Sequence, residues 1–452
     1  MTNAPRDIPD RLALARRTLA APRRYIRPWY LAYLRLGMVT AGLLPVLVPL
    51  TIAAASHSLA VVAYVMGAYN FGLLSSPLWG LGAEHSKAYR GLFLGSLLLT
   101  GAGLAALLLS GTTSARLVSA FAIGAGSGGA ATLATLFIVQ FAPQAEWEPR
   151  IGWLQSFNAA GQVVGLMVAA VFSSSHAAAA LWGSVAILGL AMAVGGVGLP
   201  VSGRASPPGT PEARRHVHLH LNVRALAIFP KLSLPSGVGL HFYHLNQHGL
   251  RELPKTFGTP FGRFLLSWFV LAFAVAAFFS YFPLMLADSY GISARASALI
   301  YAVTAAIGIA LYVLTSQLTA RHGAGRIYRL GLYLRIVGFA LLLAPFVPHV
   351  ADRRAFGVVG FAVIVIAWPL LSVAGTDLGA SLTPFSEGAA VGLLNAALAL
   401  ATALGIICSG PLVGRWGYAT IPATALGGLV VSVILGTDSR PPRTSNARAP
   451  RA

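Results

Sequence analysis

Long apolar stretches separated by short polar breaks run the length of this chain, and their size decides what they are. They lie near residues 30–55, 59–80, 91–111, 116–142, 151–173, 177–201, 262–287, 296–319, 328–347, 355–376, 388–412 and 417–436. A helix needs roughly 20 apolar residues to cross the hydrocarbon core of a bilayer. Alternating segments of strand character do not recur, so a membrane β-barrel is not indicated. In lipid the backbone must bond to itself, and each stretch is therefore predicted to be a helix. The pattern predicts an all-α membrane protein with twelve transmembrane helices. They fall as six (30–201), a polar and proline-bearing gap (202–261), and six more (262–436). This layout suits a protein of two six-helix bundles built from repeats.

Composition agrees. Of 452 residues, 56% are hydrophobic and only 10% charged, against about 25% charged in ordinary soluble domains. The net charge of +20 would suggest a nucleic-acid partner if it were gathered on a soluble face. With the N-terminus placed in the cytoplasm and each stretch crossing once, 25 Lys and Arg fall on the cytoplasmic side and five outside. That is the positive-inside pattern, and the basic residues then face anionic lipid. Arg353 and Arg354 are the local exception. The expectation is a multi-pass protein of a cell inner membrane, both termini cytoplasmic, a monomer without nucleic-acid partner. Residues 1–29 form a basic cytoplasmic lead with seven arginines, and 437–452 a disordered tail. The first apolar run has no clear cleavage site after it and serves as a retained anchor. Cys408 is the single cysteine, so an intrachain disulfide is ruled out.

One stretch breaks the uncharged pattern. GLGAEHSKAYRG, residues 80–91, follows the second span, and SQLTARHGAGR, residues 316–326, follows the second span of the later six. The two align without gaps at an offset of 236. They resemble the loop signature of the major facilitator superfamily: glycine, three residues, aspartate, arginine, any residue, glycine, then basic residues. The first copy offers Gly80, Glu84 in the acidic place, His85 in the basic place, Lys87 where glycine is usual, and Arg90. The second keeps Arg321, Gly323 and Arg326, with Ser316 and Ala320 at the glycine and acidic places. The resemblance covers about residues 30–436. It implies alternating access, with Glu84, Lys87, Arg90, Arg321 and Arg326 latching the halves on the cytoplasmic side. Topology-setting charge alone is the plainer account. NAAGQVVGL, residues 158–166, partly resembles the fifth-helix motif of drug-antiporter members, through Gly161 and Gly165. Small residues four apart equally suit close helix packing.

Polar and aromatic side chains at membrane depth are the binding candidates, because such groups face a cavity or a partner: Asn70, Asn158, Gln162, Trp268, Tyr281, Tyr301, Trp368 and Asn395. The resemblance implies that spans one, two, four, five, seven, eight, ten and eleven line the cavity. Arg35, near the cytoplasmic end of span one, is expected to snorkel to lipid phosphate. None of the twelve acids sits mid-span, which disfavours proton coupling through a central carboxylate and leaves any coupling ion open. In the central gap His216, His218 and His220 alternate, and three imidazoles on one strand face would suit a metal. No cysteine or nearby carboxylate completes a familiar site, and no cofactor is expected. Phosphate loops, G-x-S-x-G and H-E-x-x-H are missing, so the chain is not expected to be an enzyme. The expected function is secondary or facilitative transport of a small solute, with efflux of an amphipathic compound preferred. The rivals are a transporter-shaped sensor or scaffold signalling through the histidine-bearing loop, and a metal-ion exporter.

Overall fold

The computed structural model describes residues 25–143, 146–173, 176–199, 258–346, 352–383 and 387–437. Among these, eleven helices are long and apolar enough to cross a membrane, and one further apolar helix is shorter. In chain order they are α1 (Tyr30–Ser56), α2 (Leu59–Leu73 continued by Ser76–Ser86), α3 (Tyr89–Leu109), α4 (Thr113–Phe141), α5 (Trp147–Phe172), α6 (Ala177–Gly198), α7 (Pro260–Tyr290), α8 (Ala294–His322), α9 (Ala324–Leu343), α10 (Arg353–Leu382), α11 (Glu387–Trp416) and the shorter α12 (Thr420–Thr437). The three histidines at 216, 218 and 220 lie outside the described residues.

Local chemistry sets the ends. Ser58, Thr112, Thr259 and Ser293 cap α2, α4, α7 and α8, each accepting a backbone N–H two or three residues into its helix. Asp352 does the same for α10 through Ala355. Within α1 the helix widens to a π turn over Met38–Leu43, directly before Pro45. Proline has no N–H to give, and its ring presses on the carbonyl four residues back, so the ladder is relieved there.

Helix packing is duplicated. In the first six helices α1 lies against α5 and α6, α3 against α4 and α6, and α2 against α4. Six helices later α7 lies against α11 and α12, α9 against α10 and α12, and α8 against α10. The two sets meet along α2 with α11 and α5 with α8, again a matched pair. Close seams need small residues. A Cβ on Gly161 would meet the Leu34 carbonyl oxygen of α1, and one on Gly165 would stand 2.9 Å from the Met38 carbonyl carbon and 3.0 Å from Gly42 Cα.

The sets are clasped at one end. The Leu59–Leu73 part of α2 lies along α11, and the Leu44–Ser56 part of α1 touches α7. The Tyr30–Gly37 part of α1 packs on α5 and α6, and the Ser76–Ser86 part of α2 on α3 and α4. At the clasped end the Tyr281 hydroxyl of α7 donates to the Leu59 carbonyl of α2 at 2.6 Å. Tyr418 packs edge-on against Tyr281, 6.4 Å between ring centres. Burial, with Asp288 beside it, pushes the Tyr418 phenol well above its ordinary range.

Candidate functional site

A cavity of about 180 Å³ lies between the two sets of six helices. Its wall is mostly aliphatic and aromatic, drawn chiefly from α1, α2, α7 and α11. Three of the sequence candidates line it: Asn70 of α2, Tyr301 of α8 and Trp368 of α10. Asn70 gives its amide N–H to the Met66 carbonyl at 2.8 Å and leaves its carbonyl oxygen without a partner.

The other five candidates are not among the residues that line the cavity. Asn158 lies against Gly37, so close that a Cβ on Gly37 would stand 2.7 Å from its amide nitrogen. Gln162 is fully buried and interacts with Tyr301 across the α5–α8 boundary. Trp268 gives its indole N–H to the Leu394 carbonyl at 3.1 Å and ties α7 to α11. Tyr281 belongs to the clasp. Asn395 lies on α11, its amide nitrogen without a partner, one turn before Leu398, which lines the cavity. Arg35 donates to the Leu31 carbonyl of its own helix at 2.9 Å.

The cavity draws on helices the resemblance did not assign to it. Leu107 of α3 and Arg335 of α9 both line it. Arg335 is 2% exposed, near the middle of an apolar helix. Its guanidinium carbon lies 5.1 Å from the centre of the Trp368 ring, and Tyr312 and Tyr328 flank it. Its Nε has no hydrogen-bond partner, and among the described residues no carboxylate pairs with it. An arginine at mid-membrane costs about 2.5–3.5 kcal/mol even on lenient insertion scales. The signal was visible in the sequence as a lone charge inside LGLYLRIVGF.

The two signature loops lie at the end opposite the clasp. Lys87, Arg321 and Arg326 are exposed there. Arg90 donates to the Gly196 carbonyl of α6, inside the first set. Lys87 closes α2 in the left-handed region, φ 56°, its N–H returning to the Ala83 carbonyl. Gly323, its counterpart at the offset of 236, closes α8 with φ 85°. Among the described residues no cluster of three metal-ligating side chains occurs.

A helical bundle with a duplicated packing plan, a clasp at one end and a central apolar cavity belongs to the class of membrane transporters, not enzymes. The model of the Major Facilitator Superfamily matches residues 29–405, and the chain belongs to that family. Among curated proteins none matches the sequence significantly. Solved structures share the fold at low identity. A D-xylose–proton symporter gives a TM-score of 0.65 at 14% identity over 91% of this chain and 98% of its own. The nucleoside transporter NupG gives 0.64 at 15%, over 91% and 97%. A bacterial homologue of the human lysosomal transporter Spinster, inward-facing and occupied, gives 0.64 at 15%, over 92% and 96%.

Proposed function

We propose that the chain moves a small amphipathic solute across a cell inner membrane by alternating access, with efflux as the physiological direction. The observation that carries this is the cavity: central, walled largely by apolar side chains, and bordered by helices of both packing sets. Helices α1–α6 and α7–α12 act as two bundles, all twelve crossing, with both chain ends in the cytoplasm. Charge supports that orientation, since the loop end carries Lys87, Arg90, Arg321 and Arg326. The clasp then closes the outer face, and this conformation is inward-facing, as in the Spinster homologue. Among the described residues no carboxylate lines the cavity, which favours facilitated movement or coupling at a helix end over a central proton relay.

The test needs no known solute. In a Cys408→Ser background, Ala63→Cys and Gly410→Cys bring two thiols together across the clasp, where a Cβ on Gly410 would stand 2.9 Å from that of Ala63, so the seam relaxes by roughly half an ångström to reach the usual disulfide spacing. A third cysteine at cavity residue Thr402 reports access. With the bridge formed, an impermeant thiol reagent should label position 402 only from the face carrying Lys87. After reduction it should label from both faces. Labelling from one face in every state overturns alternating access. Efflux is tested by overexpression, which should raise tolerance to amphipathic toxins; unchanged tolerance across a broad panel overturns that direction.

A further inference from the structure

We infer that Arg335 and Trp368 form the recognition site for a singly charged amphipathic carboxylate inside the cavity. This rests on the transport reading and names the class of solute. The argument starts from charge. Arg335 is held at mid-membrane depth, and among the described residues no anion neutralises it. The Trp368 face lies 5.1 Å from its guanidinium carbon, an attraction that holds a cation without cancelling its charge. The phenols of Tyr312 and Tyr328 are neutral neighbours and leave the charge in place as well. Guanidinium does not deprotonate under physiological conditions, so the site cannot shed the charge as a buried lysine would. A bound anion is what remains to balance it.

Three features narrow that anion. Arg335 and Trp368 both line the cavity, so the charge is presented to a bound solute rather than to lipid. Nε has no partner although it is covered in this conformation, and a guanidinium edge matches the two oxygens of a carboxylate. One unpaired cation balances one negative charge. A dianion would carry a surplus charge into a wall of Leu271, Phe279 and Leu398, at a steep desolvation cost. The apolar wall accepts the body of the solute, and the carboxylate meets Arg335.

Binding is measured on the purified full-length protein in detergent with benzoate, 2-naphthoate, octanoate and cholate, each against its own amide, and with naphthalene-2,6-dicarboxylate. At least one monoacid should bind about tenfold or more tightly than its amide, the scale of a charge-assisted hydrogen bond. The diacid should bind more weakly than 2-naphthoate. Arg335→Met should erase the preference for acid over amide, and Arg335→Lys should keep it in weakened form. If no acid outbinds its amide on the wild-type protein, the inference fails whatever the variants do. It fails equally if a folded Arg335→Met protein keeps the preference. Binding requires no turnover. A protein that alternates but ignores acids sinks this inference alone, and one that binds acids but labels from one face only sinks the transport reading alone.

Discussion

Lys87 sits in a backbone conformation that suits glycine. Its φ of 56° is one of two positive values among described non-glycine residues. The left-handed region costs a side-chain-bearing residue roughly 1–2 kcal/mol, part of which glycine gives back as chain entropy in the unfolded state. The equivalent Gly323 has no such strain. Lys87→Gly should therefore raise unfolding stability in detergent by up to about 1 kcal/mol, read as a higher midpoint of thermal unfolding. A fall would mean that the lysine side chain contributes more than its backbone costs. Asn158 separates two roles just as cleanly. Its amide abuts Gly37 rather than the cavity, so Asn158→Leu should cost about 1–3 kcal/mol by overpacking and leave solute affinity unchanged in a binding titration. A change in affinity at unchanged stability would return Asn158 to the cavity wall.

Among elements, hydrophobic run length carried most of the information. The twelve runs correspond to the eleven membrane-length helices and the shorter α12, with ends displaced by a few residues. Run length does not report direction, and a helix hydrophobic on every side gives little sign of which face meets lipid. That is why hydrophobicity alone does not single out Arg335, which lines the cavity, or show that Trp268 bonds Leu394 within the second set. The pair Gly161 and Gly165 was legible as spacing, yet its partner was not. The structure supplies it as the Leu34–Gly42 stretch of α1. Gly165→Val should loosen that seam by about 1–3 kcal/mol, measured by thermal unfolding. Gly95→Val, at a position where a Cβ would meet nothing within 4 Å, should be neutral or stabilise by a few tenths of a kcal/mol, because valine is a better helix former than glycine. Equal losses would show that the α1–α5 approach does not set the cost.

At the scale of the whole molecule, the clasp is what the proposed alternating access must break. The Tyr281 hydroxyl and the Leu59 carbonyl join α7 of one set to α2 of the other, so this bond exists only while that end is closed. A buried neutral hydrogen bond contributes about 1 kcal/mol net, which corresponds to roughly a fivefold change in a two-state ratio. Tyr281→Phe keeps the ring against Tyr418 and removes only the donor. The population should shift about fivefold toward opening at the clasped end, because in the open state the Leu59 carbonyl can turn to water. In the Thr402→Cys reporter, labelling from the face opposite Lys87 should accelerate by that factor, and labelling from the Lys87 face should slow only slightly. The asymmetry follows from proportion: a minor open state multiplies several-fold while the major state loses a small share of itself. Matching slowdowns at both faces would instead mean that Tyr281 supports the fold as a whole. No change at either face would place the energetic hinge elsewhere, in the apolar contact of α2 with α11.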